Sequence, residues 1–258
     1  MTIVELLQLT LVGVIAGWFN VVAGGGSMLT IPVMLFMGIP APVANGTNRI
    51  GILMQDIVAV AAFRRKGFSD FKLSLSLALM ASIGAIGGAL LGVQLEGEVF
   101  TWFLVVVMIV TMLMMTIQKK KSRQTESAHG QPKRLLLGHI LMIAAGFWGG
   151  LIQIGVGFIL MPILHRVMDL DLVRVNMHKV FIVLIYTTVA LLVFMANVQI
   201  LWVAGAMLAV GTMIGGWLGA HYSIKFGDVW IRRVLFVTML MFIAKLLWPL
   251  FDDLYRAI

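Results

Sequence analysis

The 258-residue chain contains no cysteine, which excludes disulfides, thiolate metal ligation and cysteine nucleophiles. Charge is scarce as well: 12% of the residues are charged, where soluble domains carry about 25%. With 61% hydrophobic residues and a mean hydropathy of +1.04, too little polar surface exists to coat a soluble globule. A soluble enzyme, a disordered chain and a nucleic-acid-binding module are thereby set aside. Direct nucleotide drive is set aside too, because no Gly-x-x-x-x-Gly-Lys string occurs. His139, His165, His178 and His221 show no His-x-x-x-His spacing, and no Ser–His–Asp arrangement stands out. No metal, cofactor or enzymatic chemistry is therefore expected. The start, Met1-Thr2-Ile3-Val4-Glu5, lacks a basic n-region, so the first apolar run is expected to belong to the mature protein.

What the chain holds instead is a series of long apolar runs. A helix crossing a hydrocarbon core about 30 Å thick needs roughly 20 apolar residues. Runs at about 43–63, 71–95, 98–118, 175–196, 199–223 and 230–250 meet that length. The stretches 3–38 and 135–168 are too long for one span and are broken by glycine and then proline. Each is expected to be a hairpin, either two short crossings or one re-entrant pair. The net charge of +8 gathers in four basic clusters. These are Arg64 to Lys72, Lys119 to Arg134, Arg166 with Arg174, and Lys225 with Arg232 and Arg233. Placing all four on the cytoplasmic face, as the positive-inside bias requires, leaves Glu96-Gly97-Glu98, Asn197-Val198-Gln199 and the tail with Asp252 and Asp253 outside. Both termini then lie outside. The expected setting is a bacterial inner membrane crossed many times, with the lipid bilayer as the main partner.

The only long polar stretch, 118–134, reads as a cytoplasmic linker between repeat 1 (1–117) and repeat 2 (135–258). At an offset of 130 residues, Gly25 meets Gly155, Pro32 meets Pro162, Asn48 meets His178 and Arg49 meets Lys179. At an offset of 127, Gly84, Gly88 and Gly92 meet Gly211, Gly215 and Gly219. An odd number of crossings per half makes the halves enter the membrane from opposite sides. The expected fold is an all-α integral membrane protein of two inverted repeats, each a broken or re-entrant helical hairpin plus three long transmembrane helices. Secondary transporters are commonly built this way, with a site near the midplane where the broken elements meet.

The strongest local signal is Gly24-Gly25-Gly26-Ser27 running to Pro32, followed by Gly38-Ile39-Pro40 and Asn45-Gly46-Thr47-Asn48. This string resembles the TauE/SafE anion exporters, also called the 4-toluene sulfonate uptake permease family. A worn copy stands in the second half as Gly155-Val156-Gly157-Phe158 to Pro162, then Asn176-Met177-His178-Lys179. That copy lacks the triple glycine and the Gly-Thr-Asn string. The resemblance implies transport of small sulfur-containing or organic anions such as sulfite, thiosulfate or sulfonates.

The residues themselves point the same way. Free N–H groups at a helix start, with the positive end of its dipole, favour an anion. Thr47 and Asn48 near the start of the 43–63 helix offer such amides with a hydroxyl and a carboxamide, and Asn176 and His178 are their counterparts. Gly24, Gly25 and Gly26 either admit a ligand to the backbone or only permit tight crossing. Gly84, Gly88, Gly92 and their copies, spaced by four, point to packing, within the chain or in a homodimer equally. Arg49 and Lys179 are cations inside spans, a placement that marks an ion path; snorkelling is the plainer alternative for Arg49, and extension of the basic set for Lys179. Arg49 is expected on the order of 9 Å below the outer end of its helix. Asp56, two turns deeper, is either a structural partner or a proton-coupling carboxylate. The leading reading is export of a small anion by alternating access. Proton-coupled uptake, a channel, a non-transporting scaffold and a membrane-embedded enzyme are the competing ones.

Overall fold

The computed structural model of the chain describes residues 1–23, 25–65, 67, 70–117, 132–226 and 228–256; within these the side chains of 21–23, 115, 117, 172, 219–226, 228–232 and 249–256 are not described. Gly24, residues 118–131 of the expected linker and the side chains of Lys225 and Arg232 thus fall outside the described residues. Backbone in hydrocarbon has no water to bond, so it bonds to itself. Accordingly, every regular element among the described residues is helical. The order is α1 (Ile3–Ala23), α2 (Ser27–Phe36), α3 (Ala41–Arg65), α4 (Phe71–Gly92) and α5 (Gly97–Ile117), then α6 (Leu135–Leu151) and α7 (Val156–Pro162), which runs into a π-helical turn at Ile163–Val167. α8 (Leu172–Asn197), α9 (Trp202–Phe226) and α10 (Asp228–Arg256) complete it. Each half is a broken pair followed by three long helices.

Four stretches among the described residues, Ile3–Asn20, Phe71–Gly92, Gly97–Met114 and Val173–Asn197, are long and apolar enough to cross a membrane by length and composition. The chain is a multi-pass integral membrane protein. α3 has the length, 25 residues, but not the apolarity, because Asn45, Thr47, Asn48, Arg49, Gln55 and Asp56 all lie along it. Every one of those side chains is buried. A helix this polar is tolerated between apolar neighbours only because its polar face turns inward.

The two breaks have different chemistry. α2 ends in a glycine-stopped turn: Gly38, with φ +79°, donates to Leu35 O at 2.9 Å, and Ile39 donates to Met34 O at 3.1 Å. That paired 6→1 and 5→2 pattern needs a left-handed residue, which glycine supplies without strain. Pro40 and Pro42 then open α3, where a missing N–H is harmless. The second broken stretch returns to the face it left. Lys133 N donates to Met168 O at 3.0 Å, and Lys133 Nζ meets Asp169 at 2.7 Å, holding that carboxyl below the usual carboxylate range. The two ends of 135–168 thus lie side by side, as a hairpin of either expected form requires.

Glycine faces join the halves. A Cβ on Gly84 or Gly88 of α4 would lie 1.9 Å from Ile143 O or Phe147 O of α6, and one on Gly92 would lie 2.5 Å from Leu151 O. Gly211 and Gly215 of α9 stand the same way against Thr10 O and Val14 O of α1, at 2.2 and 1.9 Å. In each pair both chains advance together, so the helices are parallel and in register every four residues. These approaches allow no side chain at all, which is the small-residue packing that lets backbones touch without a hydrophobic driving force. The Gly84 and Gly211 series are packing glycines, and they pack within the chain. Gly88→Ala is therefore expected to lower the thermal unfolding midpoint of the detergent-solubilised protein, by an overpacking cost of ~1–3 kcal/mol. Gly87→Ala, whose Cβ would meet nothing closer than Phe147 Cδ2 at 3.7 Å, is expected to leave it unchanged.

Candidate functional site

The last four carbonyls of a helix have no partner within it. α6 ends at Leu151, inside the bundle, so its four must be met by something other than water. Trp148 O accepts from Ile152 N at 3.1 Å and from Gln153 N at 3.4 Å. Gly149 O accepts from Arg49 Nη1 at 3.1 Å, and Gly150 O accepts from Arg49 Nη2. Leu151 O accepts from Asn45 Nδ2 at 2.8 Å. Asn45 Oδ1 in turn accepts from Arg49 Nη2 at 3.3 Å, and Gln153 Oε1 accepts from Nη1 at 3.4 Å. The guanidinium also lies over the Phe194 ring, 4.5 Å from its centroid. Arg49 is fully buried and its positive charge meets the negative end of the α6 dipole.

Thr47 and Asn48 belong to the same layer. Thr47 Oγ1 accepts from Leu201 N at 3.2 Å, at the start of α9, and Asn48 Oδ1 accepts from Thr30 Oγ1 of α2. The helix begins five residues before Gly46, and its ladder is already closed at Ala44, whose N–H donates to Pro40 O. The amides of Gly46, Thr47 and Asn48 are thus inside a helix rather than at its start, and these residues act through side chains. Arg49 consequently sits eight residues into α3, about 12 Å from its end.

On the other side of this layer lies a cavity of about 430 Å³, within the usual range of small-molecule sites. It sits where the breaks meet: Ser27 at the start of α2 lines it, with Gln153, Val156 and Gly157 at the α6–α7 break. From there it follows α3 from Ile52 to Phe63, α8 from Asn176 to Val183 and α9 from Met213 to Trp217. Val58, Ala62 and Trp217 are exposed, so the cavity reaches the surface. Its direction is toward the ends that carry Arg64, Arg65 and Arg174. The walls are mainly apolar, with Lys179 and Asp56 both among the lining residues. Lys179 donates to Asn176 Oδ1 at 3.1 Å. Asp56 Oδ2 is buried and takes no hydrogen bond among the described residues.

The residues expected from sequence are therefore divided. Asp56, Asn176 and Lys179 line the cavity; Thr47, Asn48 and Arg49 form the packed layer above it. Asp56 is not a direct partner of Arg49. Gly25 and Gly26 are buried outside the cavity lining, and a Cβ on Gly26 would lie 2.4 Å from Ala16 O, which makes it a packing glycine. His178, although next to Lys179, points elsewhere: Nδ1 and Ser74 Oγ are 2.7 Å apart, and Nε2 is 3.8 Å from Asp70, which pairs with Arg174 at 2.7 Å. It ties the start of α8 to α4.

Four polar residues of the site were not singled out by sequence. Asn45 is one. Asn20 and Gln55 line the cavity and bond to each other at 3.1 Å, while Gln55 Nε2 donates to Gly17 O at 3.2 Å. Gln153 bridges layer and cavity, donating to Thr187 Oγ1 at 2.7 Å, from a left-handed backbone with φ +62°. Such a conformation costs a non-glycine residue of order 1–3 kcal/mol and tends to be kept at functional sites. A signal was there to read, since Gln153 is the only polar side chain between His139 and His165 apart from the indole of Trp148.

A family model described as "Sulfite exporter TauE/SafE" matches residues 9–246. The chain belongs to the TauE/SafE family. Among its curated relatives, the "Probable membrane transporter protein ORF9" of Sinorhizobium sp is 28% identical, over 90% of this chain and 88% of that one. A probable membrane transporter protein of Haemophilus influenzae is 24% identical over 92% of each chain, and YfcA of Escherichia coli K12 is 26% identical over 92% of this chain and 87% of its own. No solved structure matches the chain. Membership makes it a membrane transporter and not an enzyme, and a transporter's ligand must be met in a cavity such as this one. In this TauE/SafE member, neighbouring substitutions are expected to have opposite consequences. Lys179→Gln, on the cavity wall, should abolish the rise in thermal midpoint of any ligand bound in the cavity through that ammonium. His178→Gln should keep that rise while lowering the ligand-free midpoint, by about 1 kcal/mol for a lost hydrogen bond.

Proposed function

We propose that the chain is a secondary transporter of small sulfur-containing or organic anions, of the kind the family description names, working by alternating access and chiefly as an exporter. One observation carries this reading: a cavity at the meeting point of two broken helices, with the Lys179–Asn176 pair in it and a packed layer closing one end. Lys179 provides the charge and Asn176 the carboxamide that meet the anion, while the apolar walls accept whatever carbon it carries. The repeats are 1–117 and 135–258, inverted about the plane of the membrane and joined by the linker 118–134. That arrangement is supported by the repeated element order and by the two parallel glycine-packed pairs, α1 with α9 and α4 with α6, each uniting one helix from either half. The basic clusters lie on the cytoplasmic side of a bacterial inner membrane, so the cavity opens to the cytoplasm. A negative interior favours expulsion of an anion by about 2.3 kcal/mol per charge at 100 mV.

Asp56 gives the coupling. Its carboxyl group lies in the cavity with Lys179, and Oδ2 takes no hydrogen bond among the described residues, so it is free to carry a proton while the anion sits at Lys179. The test is flux of labelled sulfite, thiosulfate and an alkyl sulfonate in proteoliposomes. Saturable counterflow of at least one is expected, and Lys179→Gln should remove it. Asp56→Asn should keep counterflow yet lose its response to an imposed pH gradient. Absence of saturable flux for all three anions would exclude the proposed substrate class.

A further inference from the structure

We infer that Arg49 is the outer gate of the transport cycle: its hold on the end of α6 closes the cavity on the side away from the basic clusters, and that hold must be released for the cavity to open outward. The inference rests on the alternating-access reading and adds to it a residue, its contacts and the state they stabilise. A cation placed to bind substrate faces the cavity with bonding capacity to spare. Arg49 does neither. It is absent from the cavity lining, and its two terminal nitrogens are occupied by Gly149 O, Gly150 O, Gln153 Oε1 and Asn45 Oδ1. All but Asn45 belong to the end of the other half's broken helix or to the break itself.

The corresponding cation, 130 residues on, is in the opposite condition. Lys179 lines the cavity and bonds a side chain of its own helix, Asn176. The carbonyls that correspond to Gly149 and Gly150 are those of Phe19 and Asn20, near the end of α1, and Asn20 also lines the cavity. One cation is locked on the broken helix of the opposite half while its counterpart is open to the cavity. A transporter open on one side requires this asymmetry, and exchange of the two conditions turns it over. Release is feasible because the contacts are those of one side chain, and Gln153, on the cavity wall, bonds the guanidinium and so passes the state of the cavity to the gate. In the outward-open state Arg49 takes the position toward the anion that Lys179 holds here.

Because the chain has no cysteine, a single Val183→Cys on the cavity wall serves as a reporter without background. In right-side-out vesicles a membrane-impermeant maleimide outside reaches it only through an outer opening. Arg49→Gln is expected to raise its labelling from outside several-fold and to lower labelling from inside. Arg49→Lys, which keeps one charge but loses the fork, should fall between. A merely structural arginine would on removal lower the thermal midpoint without shifting labelling from one side to the other. Asn45→Ala removes the bonds to Leu151 O and to Arg49 Nη2 but leaves the guanidinium on Gly149 O and Gly150 O, and it decides the matter should Arg49→Gln fail to insert; it should move labelling in the same direction by a smaller factor. If no inserted variant increases labelling from outside, the gate assignment is overturned. A shift in labelling with no flux of any sulfur anion would instead leave the gate standing and overturn the substrate class.

Discussion

A helix that stops inside a bilayer leaves its last carbonyls with no water to meet, and the donors that answer them must come from elsewhere in the chain. At the end of α6 they come from α3, a helix of the other half: Asn45 for Leu151 O, Arg49 for Gly149 O and Gly150 O. Much else depends on this. It fixes the depth of the second break, it explains why a cation and two asparagines tolerate burial on α3, and it separates a packed layer from the cavity beneath. A buried guanidinium is expensive unless it is hydrogen-bonded, and both terminal nitrogens of Arg49 are. Here the helix end supplies the acceptors that hydrocarbon does not, so each cures the other's deficit.

The same crossing of α3 with α8 occurs twice with different chemistry. Positions 49 and 179 correspond, and so do 56 and 186, because both pairs are 130 residues apart. Tyr186 of α8 packs against Gly149, whose carbonyl takes Arg49, and Asp56 of α3 lines the cavity with Lys179 of α8. Where the second residue is a phenol, the cation turns to backbone carbonyls and the space closes up. Where it is a carboxylate, it and the cation both line the cavity. The two crossings thus differ in few side chains.

Around this centre the packing is of another kind. α4 on α6 and α1 on α9 meet through glycine at distances that exclude any side chain, and such pairs move, if at all, as rigid units. The polar residues are gathered on α3, at the breaks and at the start of α8. Rigid glycine-packed pairs on either side of a polar, discontinuous centre are what a rocking mechanism needs.

The sequence alone determined the helices and the two breaks. Hydrocarbon imposes these through linear signals, namely a run of about 20 apolar residues for each crossing and Gly or Pro where the backbone must leave it. It also picked out Asp56, Asn176 and Lys179, since an ionisable or polar residue in an apolar run is conspicuous on one line of text. Which way each side chain faces was not legible there. Arg49 and Lys179 have matching positions and charge, yet one is locked on Gly149 and Gly150 and the other opens to the cavity. His178 and Lys179 are adjacent, yet they face opposite needs because successive residues on a helix point about 100° apart. Those outcomes depend on which carbonyl, ring or carboxylate a distant segment brings within about 3 Å, and only the folded chain holds that information.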